Sequence, residues 1–300
     1  MGQGGREEAE KLKSPRAPMR FEISHSIAYS YDRAVFLEPL TVRLRPRCDS
    51  TQRLEHYSLN VEPHPAGLSE CVDIDGNNTA TVWFDGTHRH VGISAKSQIE
   101  VLRANPLDFI FTDDGVSHLP ATYNDEYRQA MEPYLRPSHG CSRLQSLVEP
   151  MVEESGGETI AFLMAFASHI NGRFPKVLRE SGGPLTPDET IALGQGACRD
   201  LALMFMEGCK SVGLAARFVS GYAGGHCLLA EPHMHAWAEV YLPGGGWRGF
   251  DPTIGLAVAG QHVAVAAAAN PADAAPTTGT YRGTDVESKL EYEVSMQRIR

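Results

Sequence analysis

The sequence of 300 residues contains no CxxC pair, no long apolar run and no basic run. Its six cysteines stand apart, at positions 48, 71, 141, 198, 209 and 227. Scattered thiols are not a disulfide framework, so free thiols in a reducing compartment are the simpler expectation. No stretch reaches the roughly twenty apolar residues that a membrane helix needs. Acids outnumber bases, 37 to 27, for a net charge of −10. That balance argues against nucleic acid and against an anionic membrane surface as partners. The opening residues 1–18 are charged, punctuated by Pro and Gly, and lack the apolar core of a secretory signal. We expect a disordered leader there and a cytoplasmic protein.

What is present is ordinary for a globular chain: 42% hydrophobic and 8% aromatic residues, with length enough for one large or two medium domains. From Met19 to about Leu102 short alternating runs predict strands, with Asp75-Gly76-Asn77-Asn78 as a hairpin turn. Asp73-x-Asp75-Gly76 lacks the glycine position and closing glutamate of a calcium loop, so it reads as a turn. Residues 103–122 look like a connector. Helical patterns follow at Asn124 to Leu135, Leu144 to Glu154 and Thr159 to Ile170, the last with His169 as a packed or boundary residue. Thr186-Pro187-Asp188-Glu189 starts another helix. After Gln261 the tail carries strand signals, which either extend the preceding sheet or return to the N-terminal strands. We therefore expect an α+β protein: an antiparallel β-sandwich over 19–105, a second domain over 106–260, and C-terminal strands over 261–300 that pack on both.

Two glycines, Gly194 and Gly196, precede Cys198, and the apolar run Leu201 to Met206 follows it. That spacing predicts a buried helix starting near Cys198 and stopping near Gly213. A cysteine at a helix N-terminus meets unpaired N–H groups and the positive end of the dipole, which favour the nucleophilic thiolate. Downstream, His235 to Leu242, the turn Pro243 to Gly246, and Trp247 to Asp251 predict a hairpin that brings His235 and Asp251 onto neighbouring strands. A base needs a partner on its second ring nitrogen, so Cys198, His235 and Asp251 are a candidate nucleophile, base and orienter. Gln195 is a candidate oxyanion donor beside the Cys198 N–H, and Asp200 complements the helix dipole. Trp237 and Trp247 are candidate walls of the site or ordinary core aromatics. A rival reading is zinc on His226, Cys227, His233 and His235, but the spacing matches no common zinc motif; no metal and no cofactor are expected.

Four words in order carry a resemblance to a known family. They are Gly196-Ala197-Cys198-Arg199-Asp200-Leu201-Ala202, Gly213-Leu214-Ala215-Ala216-Arg217-Phe218-Val219-Ser220-Gly221-Tyr222, His235-Ala236-Trp237-Ala238-Glu239-Val240-Tyr241 and Gly246-Trp247-Arg248-Gly249-Phe250-Asp251-Pro252-Thr253. They resemble the transglutaminase-like superfamily of papain-like cysteine enzymes. The strands from Ile23 to Asp32, Leu44 to Arg47 and Asp75 to Asn77 are similar to the N-terminal β-domain of its bacterial members. The resemblance implies a papain-like catalytic core over 106–260, with Cys198 as nucleophile, His235 as base and Asp251 as orienter. By analogy Tyr222 lines the cleft. The expected activity is acyl transfer through a thioester on a peptide or protein substrate, by hydrolysis, with transamidation to an amine as the alternative. A second alternative keeps the fold for binding only, with the N-terminal sandwich as the working surface.

Overall fold

Phe21, Ile23, His25 and Ile27 point inward from the long first strand, β1 (Met19–Leu37), while the residues between them are more exposed. This is the period-two pattern of a strand with one buried face. The computed structural model describes residues 18–138, 142–179, 181–224 and 233–299. The leader, apart from Pro18, therefore lies outside the described residues. After β1 come β2 (Leu40–Val42), β3 (Gln52–Glu62), β4 (Gly67–Val72), β5 (Asn78–Trp83) and β6 (Thr87–Val101). Five helices follow: α1 (Asp125–Leu135), α2 (Ser142–Glu154), α3 (Thr159–Arg173), α4 (Pro187–Leu193) and α5 (Cys198–Ser211). The chain then runs through β7 (Ala216–Ala223), β8 (His235–Leu242), β9 (Gly246–Asp251), β10 (Leu256–Ala257) and β11 (His262–Ala268). It closes with β12 (Thr277–Thr278), β13 (Tyr281–Arg282) and β14 (Ser288–Ile299).

Two antiparallel sheets form the front layer. One has the order β13-β1-β6-β3 with β14 also on β1; the other is β12-β2-β5-β4. Ile27, Val35 and Ile93 from the first face Val42, Ala80 and Val82 from the second in one apolar core. The layer is therefore a sandwich, as the short strands predicted. A third sheet, β10-β9-β8-β7-β11, carries α2, α3 and α5 on one face. Phe162, Phe166, Phe205 and Phe250 stack in series through that core, with centroids 5.6, 5.2 and 5.8 Å apart. Burying each ring contributes about 2–3 kcal/mol. Helix α5 is buried from Asp200 to Lys210, so its apolar run fills the centre of the domain.

The tail does both things its sequence left open. Strand β11 extends the third sheet by pairing with β7. Strands β12, β13 and β14 return to the front sheets, and β14 pairs with β1 from Arg20 to Tyr31. Two side-chain amides lock the layers together. Gln52 donates to Ala264 O and accepts from Ala264 N, both at 2.8 Å. Asn77 does the same to Ala267, at 2.9 and 2.8 Å. Each amide thus imitates a strand partner for β11. Asp73 binds the N–H groups of Asp75 and Asn77, so this acidic stretch forms a hairpin turn, as expected. Among the described residues no helix is long and apolar enough to cross a membrane.

Candidate active site

The segment before Cys198 is held by backbone bonds and by a few side-chain caps. Thr186 and Glu189 form a reciprocal cap that starts α4, and Gly194, at φ 66°, ends it. Val177 N–H donates to Gly196 O at 3.0 Å and Gly196 N–H donates to Pro175 O at 3.2 Å. A Cβ on Gly196 would meet Thr190, Asp200 and Leu201 at 3.1 Å each, which leaves no slack for a side chain. Asp200 then fixes the helix start from within. Fully buried, it accepts from Ala197 N at 2.8 Å, Leu185 N at 2.8 Å and Arg179 Nη2 at 2.5 Å. Complementing the dipole is thus only part of its work; it also ties Arg179 and Leu185 to the Cys198 turn.

Cys198 is the first residue of α5 and is half-buried. Facing it is His235, the first residue of β8, which sits opposite Gly221. A Cβ at Gly221 would come within 2.2 Å of Val263 O and 2.6 Å of the Trp237 ring, so this close approach of β7 to its neighbours requires glycine. Asp251 closes β9 just past Phe250, which pairs with Ala238. His235 Nε2 lies 2.7 Å from Asp251 Oδ2. Because an ionised carboxylate only accepts, Nε2 carries the proton, and Nδ1 is left for the sulfur.

The electrostatics follow from this chain of contacts. Burial by itself would lower the His235 pKa, but the charge and hydrogen bond of Asp251, followed by those of Cys198, raise it to about 10. Burial by itself would push the Cys198 thiol up. The His235 hydrogen bond and charge, then Lys176 and the Ala236 N–H, bring it below its ordinary value. Burial likewise opposes ionisation of Asp251, yet His235 and then His262 hold it well below the usual carboxylate range. The arrangement favours a thiolate–imidazolium pair over a neutral one.

Two further partners of Asp251 were not singled out from the sequence. Thr253 donates its N–H to Oδ1 at 2.9 Å and its hydroxyl at 2.6 Å. His262, the first residue of β11, donates from Nε2 to Oδ2 at 3.0 Å, and its Nδ1 is buried without a partner. Thr253 follows Asp251-Pro252 directly and was open to view; His262 sits in an Ala- and Val-rich stretch with no signal of its own. His235, Asp251 and His262 are also the one group among the described residues whose ligand-type atoms all lie within 4.8 Å. His226 and Cys227 lie outside the described residues, and His233 instead contacts the Tyr292 hydroxyl at 3.4 Å.

A cleft of about 810 Å³ opens over Cys198 and His235. Its far wall comes from the front sheet, with His25, Ile27 and Tyr29 of β1 and Tyr292 of β14. Gln195 is exposed and is not among the residues that wall this cleft. Tyr222 is likewise set outside it: the ring is buried between layers and its hydroxyl meets His25 Nδ1 at 2.9 Å. Trp237 is buried behind the site, edge-on to His262 at 5.2 Å and tilted to His235 at 6.3 Å. Trp247 is remote from the cleft, under the Arg217 guanidinium at 4.1 Å.

Residues 145–252 match the model of the transglutaminase-like superfamily, and residues 21–100 match that of the bacterial transglutaminase-like N-terminal region. An uncharacterised protein of Mycobacterium tuberculosis is 24% identical over 305 residues, covering 92% of each chain. A protein-glutamine gamma-glutamyltransferase of Pseudomonas aeruginosa is 27% identical over 131 residues, which span 40% of this chain and 20% of that one. A solved structure of a candidate cysteine protease from Cytophaga hutchinsonii shares the fold. Its TM-score is 0.69 at 21% identity, covering 94% of this chain and 91% of that one.

Proposed function

Residues 145–252 belong to the transglutaminase-like superfamily and residues 21–100 to its bacterial N-terminal region, and we propose that the chain is a cysteine acyl-transfer hydrolase acting on amide bonds of peptide type. The observation that carries this reading is the 2.7 Å contact of His235 with a buried, ionised Asp251, on the far side of a ring whose other nitrogen serves Cys198. The thiolate attacks the carbonyl carbon, and the C–S bond forms as the carbonyl π-electrons move to oxygen. The Cys198 N–H, unpaired at the start of α5, is the candidate donor to that oxyanion. His235 gives its Nδ1 proton to the leaving amine as the C–N bond breaks, leaving a thioester. A water then attacks; His235 takes its proton, and the acid and free thiolate are released. Asp251 keeps the ring in one tautomer throughout.

Cys198 lines an open cleft, a route by which water can reach the thioester, and this supports hydrolysis. The glutamyltransferase relative supports a second reading, transfer to an amine. Product analysis separates them. With a peptide amide substrate, the acid should dominate even when a primary amine is added, and an acyl adduct should be trapped on Cys198. Dominant amide exchange would replace hydrolysis by transamidation; no adduct with any acyl donor would refute both.

A further inference from the structure

His262 begins a strand that has a neighbouring strand on one side only. β11 ends the third sheet, with β7 beside it. On its outer side the backbone groups of Ala264 and Ala267 meet the front sandwich instead. Gln52, the first residue of β3 and 2% exposed, donates from Nε2 to Ala264 O and accepts from Ala264 N, both at 2.8 Å. Arg47 N–H adds a third bond, to Ala264 O at 3.1 Å, and Gln52 Nε2 also donates to Arg47 O at 2.7 Å. Asn77 holds Ala267 by the same pair of bonds.

The two amides hold different parts of the strand. The ladder between β11 and β7 shifts register between Ala264 and Ala266, so a bulge at Val265 divides β11. Asn77 grips the far half. Gln52 grips the half that begins with His262, two residues before Ala264 and on the same face. Ala264 stands opposite Gly221, and Gly221 opposite His235, so the anchored residue shares one row with the catalytic base across three strands. The His262 side chain has few fixings of its own. Its Nε2 donates to Asp251 Oδ2 at 3.0 Å, its Nδ1 is buried with no partner among the described residues, and its ring lies edge-on to Trp237. The backbone of β11 therefore decides whether the bond to Asp251 has good geometry.

We propose that Gln52 is a positioning residue for the catalytic pair: through β11 it sets His262 on Asp251, and so steadies Asp251 on His235. The front sandwich is then part of the catalytic unit, not a module beside it. This rests on the acyl-transfer reading, with Cys198 and His235 as the reacting pair. Gln52 bears no charge, so replacing it alters the ionisation of Cys198 only by moving other groups.

The test labels Cys198 with iodoacetamide between pH 6 and 9, read by peptide mass spectrometry, with urea midpoints measured in parallel. Gln52→Leu should slow labelling about three- to fivefold at pH 6, with the gap closing as pH rises toward the ordinary thiol range. Asn77→Leu removes the same pair of bonds and should lower the urea midpoint by a similar amount, yet leave labelling within about twofold of wild type. In a His262→Ala background, Gln52→Leu should slow labelling no further, because the residue it acts through is gone. Equal slowing by Asn77→Leu, an undiminished effect in the double variant, or wild-type labelling by Gln52→Leu would each overturn the positioning role alone. If Gln52→Leu does not fold, Gln52→Asn, whose amide stops one methylene short of Ala264, takes its place with the same outcomes. Wild-type Cys198 that labels no faster than free glutathione would overturn the acyl-transfer reading as well.

Discussion

Replacing Asp251 by Asn exchanges one carboxylate oxygen for an NH2 group of nearly the same shape, and its consequence follows from a proton count. The Thr253 backbone N–H can only donate, so the side-chain atom it meets at 2.9 Å must remain an oxygen. The amide nitrogen then takes the place of Oδ2, facing His235 Nε2 and His262 Nε2, which stand 2.7 and 3.0 Å from it. Its two N–H groups donate where a carboxylate accepted, and both imidazoles must shift their protons to Nδ1. In His235 that puts an N–H against Cys198 in place of a lone pair, and the ring can no longer accept the thiol proton. The two Thr253 contacts are unchanged and the two histidine contacts survive with roles exchanged, so the loss of folding stability should be modest, about 1–3 kcal/mol. Reactivity should suffer far more. A thiol at its ordinary value of 9.0 is ionised about one part in a thousand at pH 6, from the tenfold change per pH unit. Wild-type Cys198, with its pKa lowered by His235, is ionised to a larger share at that pH. Asp251→Asn should therefore slow iodoacetamide labelling of Cys198 by about tenfold or more at pH 6, and the gap should narrow as pH rises. Labelling within about threefold of wild type at pH 6, in a variant that folds, would refute the proton count.

Two further substitutions probe the supports of the site. His262→Ala removes a donor from the ionised Asp251, a bond worth about 1.5–3 kcal/mol; Cys198 labelling at pH 6 should fall about tenfold, while His262→Gln, which keeps an N–H, should stay within about threefold. Equal loss in both variants would mean that His262 matters by packing alone. Asp200→Ala strips three bonds from a fully buried carboxylate and leaves Arg179 uncompensated. Because the Arg179 side chain is 28% exposed, the loss should be trimmed to about 2–3 kcal/mol, read from urea unfolding midpoints.

The sequence was legible where one segment determines its own structure. The cap at Thr186, the αL glycine at 194, the buried run after Cys198 and the hairpin ending in Asp251 are all local signals, and each element formed where its pattern put it. The α+β order and the front sandwich were readable for the same reason. What stayed hidden depends on residues far apart in the chain. His262 reaches Asp251 only because β11 joins the edge of the sheet beside β7, a placement its Ala-rich sequence does not specify. Tyr222 was placed in the cleft by analogy to the family alone, but its ring crosses to His25, 197 positions away. Strand β3 was passed over although Tyr57, Leu59 and Val61 alternate with polar neighbours, because an irregularity in register between Leu54 and His56 breaks the pattern ahead of them.

The central claim is that Cys198 and His235 share a proton so that the thiol is ionised near neutral pH. It is tested most directly by the pH dependence of iodoacetamide labelling at Cys198, read by peptide mass spectrometry between pH 5 and 9 in wild type and His235→Ala, with free glutathione and other simple thiols as references. A raised His235 and a lowered Cys198 predict that wild-type labelling falls less steeply from pH 8 to 6 than that of the reference thiols, which slow about tenfold per unit, and that His235→Ala loses this advantage. If Cys198 instead titrates like the reference thiols, and His235→Ala changes nothing, the pair does not exist and the catalytic account is wrong.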